Sequence, residues 1–257
     1  MQHTPALLGI LGGLGPMATV YFYEMLTAHT QAASDRDHID MIISSHATTP
    51  DRTAYILGHS DQNPLPVMIE DAKRLVAYGA TLLTLPCNTA HFFYDALRAA
   101  VSVPILNIIE ETVGTAARMG IRRVGILATE GTIISGAYHK ACQLHGITAV
   151  SPSPENQAKL NSLIYDTIKS GIRPRPEELE RVAAPLRREG CERLILGCTE
   201  LSLIKRDSDL DDELYLDSTE ILALRTILCC GKQPIGFSEE LMAAAASNAH
   251  STTGVHT

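Results

Sequence analysis

The chain has 257 residues, 45% of them hydrophobic, with 21 basic against 29 acidic side chains and a formal net charge of −8. Such a length supports one large domain or two small ones, each with its own core, and an acidic balance without any Lys/Arg cluster argues against a nucleic-acid partner. No apolar run approaches the roughly 18 residues of a spanning helix and Gln2-His3-Thr4-Pro5 lacks a charged leader region, so no membrane partner is expected and the cytoplasm is the expected location.

Ala6-Leu7-Leu8-Gly9-Ile10-Leu11 is a continuous apolar run bounded by glycine, which reads as a buried strand of a parallel sheet. It leads into Gly12-Gly13-Leu14-Gly15-Pro16-Met17-Ala18-Thr19 and a helix to about residue 30, with Pro16 suited to the first helical position. A strand is expected over 39–45, then a polar loop over 46–66 that carries Pro50-Asp51-Arg52-Thr53. A helix over 67–78, a strand over 80–85, a helix over 90–100 and a short strand over 103–107 follow. The pattern then restarts with a helix over 110–119 and a strand over 123–129, in which Gly125-Ile126-Leu127 repeats Gly9-Ile10-Leu11. Helices are expected over 133–145, 156–169 and 176–189, with a candidate strand at 148–150. A strand over 213–217 and a helix over 218–230 complete the pattern, and the Ala/Ser/Thr/His-rich stretch 238–257 reads as a frayed helix and flexible tail.

Strands alternating with helices call for an α/β architecture with parallel sheets. Two segments share one grammar of apolar run, turn, cysteine and helix: Leu85-Pro86-Cys87-Asn88-Thr89 and Leu196-Gly197-Cys198-Thr199-Glu200. Their cysteines lie 111 residues apart (198 − 87), and Gly79 and Gly190, which open the two units, keep the same interval. The duplication predicts two pseudo-symmetric lobes, each a short parallel sheet flanked by helices, with the active site in the cleft between them. The first lobe is expected at 1–109 with about 218–237 crossing back to it, and the second at 110–217. Ligands of open parallel sheets bind beyond the carboxyl ends of the strands, where both cysteines fall.

The six cysteines form no CxxC pair and no His cluster has metal spacing, so free thiols and no metal are expected. Cys142, Cys191, Cys229 and Cys230 read as packing residues. For Cys87 and Cys198 the position before a helix favours proton exchange, because a helix N-terminus lowers a thiol pKa. Two thiols opposed across a carbon suit removal of a proton from one face and delivery to the other, which inverts a stereocentre. The carbanion-like intermediate needs backbone N–H donors, which the turns after each cysteine can supply. Arg52 and Lys169 are the candidate cations for a second anionic group. His91 reads as an exposed helix histidine or as a partner that tunes Cys87, and Glu200 as a helix-cap carboxylate.

These segments resemble the aspartate/glutamate racemase superfamily of cofactor-independent amino-acid racemases. The resemblance rests on the glycine-rich loop 12–19, Pro50-Asp51-Arg52-Thr53, Pro86-Cys87-Asn88-Thr89-Ala90-His91, Ile164-Tyr165 through Lys169 and Gly171, and Gly197-Cys198-Thr199-Glu200, and it covers about residues 6–230. Gly-Gly-Leu-Gly-Pro and Glu200 after Cys-Thr are closest to the aspartate racemase branch. The resemblance implies that Cys87 and Cys198 are the two acid/base thiols, and that Asn88, Thr89 and Thr199 hold the α-carboxylate with help from Thr129 and Thr132. It implies that Arg52 and Lys169 recognise a carboxylate, and it puts Gly13, Met17 and Glu200 among the substrate-binding residues. It further implies a homodimer, no pyridoxal phosphate or metal, and a small acidic amino acid as substrate, aspartate or else glutamate. Leu222 stands where several relatives carry a histidine, which leaves the side-chain preference open.

Three other readings compete. Gly13-Leu14-Gly15-Pro16-Met17-Ala18 fits a dinucleotide-binding fingerprint, but the second strand ends Ile43-Ser44-Ser45-His46 with no acid for a ribose. A non-catalytic dicarboxylate-binding module would leave the paired thiols without a purpose. A maleate-type isomerase would use one cysteine as a covalent nucleophile.

Overall fold

The structure, a computed structural model, describes residues 6–208 and 210–246. The first half runs β1 (Leu8–Gly12), α1 (Pro16–Ala28), β2 (Met41–Ser45), α2 (Arg52–Ile56), α3 (Leu65–Ala77), β3 (Leu82–Thr84), α4 (Tyr94–Ala100) and β4 (Ile105–Leu106). The second runs α5 (Ile108–Arg118), β5 (Arg123–Leu127), α6 (Glu130–Ser135), α7 (Ala137–Leu144), β6 (Thr148–Val150), α8 (Pro154–Ser162), α9 (Pro176–Arg188), β7 (Arg193–Leu196), α10 (Thr199–Asp207) and β8 (Tyr215–Asp217). Helices α11 (Ser218–Cys229) and α12 (Glu239–Ala246) follow.

The strands make two parallel four-stranded sheets of the same order, β2-β1-β3-β4 and β6-β5-β7-β8. The duplication reaches atomic detail. Gly9 pairs with Leu83 and Gly125 with Leu194. A Cβ on Gly9 would come within 2.5 Å of Leu83 and 3.2 Å of Leu75; on Gly125 it would come within 2.5 Å of Leu194 and 3.2 Å of Leu186. Leu186 follows Leu75 by 111 residues (186 − 75), the interval that separates the cysteines. Each sheet therefore receives its covering helix, α3 or α9, at a point where only a glycine leaves room.

One apolar core runs through both halves, joining Ile10 and Phe22 to Val113, Ile126, Ile195 and Leu222. Helix α11 packs on α1 and on α5, so the material between the sheets is continuous. At about 1.5–3 kcal/mol for each fully buried large side chain, this seam holds the halves together.

Four elements differ from expectation, each for a local reason. The polar loop 46–66 contains α2, because the Asp51 side chain accepts the Ala54 N–H at 2.7 Å and caps a turn. The single helix expected over 133–145 is divided into α6 and α7 at Gly136, which adopts φ +66°. The helix after Cys87 starts as a tight 3₁₀ segment, Thr89–Phe93. That over 156–169 ends in a π-helical segment, Leu163–Ile168. Part of the expected frayed tail is the helix α12, and 247–257 lie outside the described residues. Among the described residues no helix is long and apolar enough to cross a membrane.

Candidate active site

Strand β3 delivers the chain to Cys87, whose N–H donates to the Leu85 carbonyl at 2.8 Å before Asn88 starts the 3₁₀ turn. Strand β7 delivers it to Cys198, the N-cap of α10. Both thiols are buried and line one chamber of about 10 Å³, together with Asn88, Thr89, Thr129, Tyr165, Lys169, Thr199 and Glu200. That volume holds roughly one water molecule. Outside it opens a cleft of about 490 Å³ lined by Gly13, Gly15, Met17 and Ala18 of the glycine-rich loop and α1, and by Thr49, Ile168 and Gly171. Asp51, Arg52, Lys169 and Glu200 belong to both spaces and form the wall between them.

The wall is held by charge. Glu200 Oε2 accepts the Cys198 Sγ–H at 3.0 Å, and its Oε1 lies 3.2 Å from the Lys169 Nζ. Burial, and next the Glu200 carboxylate, push the Cys198 thiol well above its ordinary range. Burial acts to lower the Lys169 ammonium, but Glu200 first and then the two cysteines more than offset it, so the ammonium is held above its usual range. The Lys169 Nζ also lies 5.2 Å from the centroid of the Tyr165 ring, whose phenol is pushed up to about 12 by burial. Gly15 is essential to this packing: a Cβ there would come within 2.6 Å of Glu200 Oε1.

Arg52 is buried and its guanidinium holds loops together. Nη1 donates to the Thr49 and Pro50 carbonyls at 3.1 and 2.9 Å, and Nη2 donates to the Leu14 carbonyl at 2.9 Å. Its buried Nε finds no partner among the described residues. Across the chamber, the hydroxyls of Thr89, Thr129 and Thr132 form a triangle with sides of 2.9, 2.9 and 3.0 Å. The Asn88 amide donates to Ser218 Oγ at 3.0 Å and its Oδ1 accepts the Tyr138 hydroxyl at 2.7 Å.

The expected residues thus fall in two tiers. Cys87, Cys198, Asn88, Thr89, Thr129 and Thr199 line the inner chamber, with Thr132 bonded behind Thr89. Arg52, Lys169 and Glu200 stand at the wall, while Gly13 and the exposed Met17 line only the outer cleft. His91 corrects both alternatives offered for it. It is buried, bonded through Nδ1 to the Cys87 carbonyl at 2.8 Å, and it accepts the Ile108 N–H on Nε2 at 3.2 Å. Both ring nitrogens are thus occupied by backbone, and burial depresses its pKa to about 4. All six cysteines are free, and Cys229 is exposed at the end of α11, where packing had been expected.

Tyr165, Asp51, Tyr138 and Ser218 were not assigned roles from the sequence. Tyr138 and Ser218 lie 50 and 130 residues from the Asn88 they orient, and no local pattern ties such distant groups together. The Asp51 cap did have a local signal, an aspartate three residues before the N–H it accepts. The glycines that suggested a dinucleotide fingerprint make room for protein: Gly13, at φ +84°, lies against the His46 backbone, and Gly15 against Glu200. Among the described residues no group of three or more His, Cys, Asp or Glu side chains could hold a metal ion.

Comparison with known proteins places the fold among racemases. The family model described as Asp/Glu/Hydantoin racemase matches residues 11–226. The chain is 29% identical over 225 residues to the broad specificity amino-acid racemase RacX of Bacillus subtilis, covering 86% of this chain and 96% of that protein. It is 35% identical to the glutamate racemase of Geobacter metallireducens over 147 residues, 54% of this chain and 51% of that protein. The solved aspartate racemase of Picrophilus torridus superimposes with a TM-score of 0.80 at 28% identity, covering 93% of this chain and 99% of that one.

Proposed function

We propose, on the premise that the chain belongs to the Asp/Glu/hydantoin racemase family, that it racemises an amino acid without pyridoxal phosphate or metal, by proton transfer between Cys87 and Cys198. The observation that carries this reading is the location of the two thiols at matched strand ends of two matched sheets, lining one buried chamber. One cysteine as thiolate takes the Cα proton from one face of the substrate, and the other as thiol delivers a proton to the opposite face. The negative charge that develops on the α-carboxylate side is met by hydroxyls of Thr89 and Thr199 and by N–H groups at the start of α10.

For the side chain we infer an acidic substrate, aspartate before glutamate. Two cations, Arg52 and Lys169, stand at the chamber mouth, and the buried Arg52 Nε is left without a protein acceptor. A wider substrate range is the second reading, and it too has an observation behind it: the Lys169 ammonium is already engaged by Glu200, and Arg52 already serves three backbone carbonyls. The likeness to the Bacillus subtilis broad specificity racemase points the same way. We further infer a homodimer, in line with the family resemblance, and two lobes at 1–109 with 218–237 and at 110–217 that part to admit substrate.

The test uses purified protein without added cofactor, incubated with L- or D-amino acids in D₂O. Deuterium is expected at Cα of aspartate with loss of optical rotation, and Cys87→Ala and Cys198→Ala should each abolish racemisation. If neither substitution slows conversion of any amino acid, the two-thiol mechanism is wrong. Arg52→Ala should impair dicarboxylic substrates more than alanine; equal impairment favours the wider range.

A further inference from the structure

The two thiols occupy equivalent positions in the duplicated fold, yet their surroundings are unequal. Cys198 has a carboxylate two residues on, turned back so that Oε2 sits 3.0 Å from its sulfur. The corresponding position after Cys87 is Thr89, a neutral hydroxyl hydrogen-bonded to those of Thr129 and Thr132. Among the described residues no carboxylate is hydrogen-bonded to the Cys87 sulfur. Building on the two-thiol reading above, we propose that Glu200 fixes the proton inventory of the resting site by holding Cys198 as the thiol, the proton donor, while Cys87 takes the part of the proton acceptor.

A carboxylate at hydrogen-bond distance accepts from S–H and repels S⁻, so it favours the protonated sulfur from both sides of the equilibrium. The other groups around Cys198 are Tyr165 from the π-helical segment and Lys169 just after it, Asp51 and Arg52 from the α2 turn, and Cys87 across the chamber. Lys169 opposes Glu200 in its effect on Cys198, and it is bound to the far oxygen of that same carboxylate. Each turnover that starts from this state moves one proton from Cα to Cys87 and one from Cys198 to the other face of the same carbon. It leaves Cys87 as thiol and Cys198 as thiolate beside Glu200. That form is the less favourable one, and transfer of a proton from Cys87 to Cys198 through solvent, as the site opens, restores the start.

The experiment is pH-dependent alkylation of the full chain by iodoacetamide, with the peptides carrying Cys87 and Cys198 resolved by mass spectrometry. In the unsubstituted protein Cys198 should show a higher pH midpoint than Cys87. Glu200→Gln should lower the Cys198 midpoint by about one pH unit or more while leaving that of Cys87 in place. Lys169→Met should raise the Cys198 midpoint, a change opposite in sign that general loosening of the site would not produce. The proposal is overturned if Cys198 titrates at or below Cys87, or if Glu200→Gln leaves its midpoint unmoved. Alkylation reads the thiols whether or not racemisation occurs, so this result stands apart from the Cys87→Ala and Cys198→Ala assay.

Discussion

His91 is a case where residue type and residue role diverge. A histidine four positions after a reactive cysteine invites a catalytic reading, but this one carries its proton on Nδ1 toward the Cys87 carbonyl and uses Nε2 to accept from Ile108 at the start of α5. It fixes the turn that presents the thiol. Folded His91 binds its proton only near pH 4, whereas an unfolded histidine does so near 6.5. Between those values the unfolded chain binds the extra proton, so stability falls as the pH is lowered through this window and is fully present above it. The loss should approach roughly 3 kcal/mol by pH 4, and His91→Gln should flatten that part of a denaturation-midpoint against pH curve while lowering stability at pH 7 by about 1–3 kcal/mol. An unchanged acid slope would assign the effect to other groups. The meeting of Cys87 and Cys198 in one chamber was legible in the sequence because their spacing repeats with the duplicated strands. The role of His91 was not, since it depends on an N–H supplied by a different element.

At the scale of elements, periodicity located the strands and most helices, because burial of one face imposes it. It missed departures that involve only a residue or two, and these shape the site. The helix over 156–169 reads as continuous, yet its last turns are π-helical, and this irregular stretch contributes Tyr165 and is followed directly by Lys169. Such segments cluster at functional sites because they re-aim side chains within a helix. The glycine-rich loop is the second such device: its spacing suggests phosphate, while its conformation serves a carboxylate. A Cβ on Gly15 would meet the end of the Glu200 side chain, which can swing away, and not rigid backbone. Gly15→Ala should therefore change stability by less than about 1 kcal/mol. It should reduce kcat/KM at least tenfold by displacing Glu200 from Cys198 and Lys169. Thermal unfolding and initial-rate kinetics on the same preparation separate these effects; a large drop in melting temperature with normal kinetics would refute the account.

For the molecule as a whole, the duplicated α/β plan was readable from two cysteines, two glycines and a repeated strand motif, whereas the single core joining the halves was not, because a sequence does not say which apolar faces meet. That core has a mechanical consequence. Where α11 packs on α1 and α5 the halves share buried apolar surface, so separation there is costly. On the side of α2 and α6 they meet through a few small groups, the threonine triangle and the approach of Thr53 to Gly131. A chamber of about 10 Å³ is too small for an amino acid, so the proposed reaction requires it to open, and the edge with less shared apolar surface is the one expected to part. A Cβ on Gly131 would sit 3.0 Å from the Thr53 Cα, a backbone contact with little room to yield. Gly131→Val should wedge that edge apart, raising amide hydrogen exchange in α2 and α6 while leaving α5 and α11 protected. If the two sulfurs exchange protons with Cα as proposed, kcat should fall by roughly tenfold to a hundredfold, because such transfer tolerates little misplacement. Equal rises in exchange on both sides of the molecule would show general destabilisation instead, and would remove the argument that the α2–α6 edge is the weaker one.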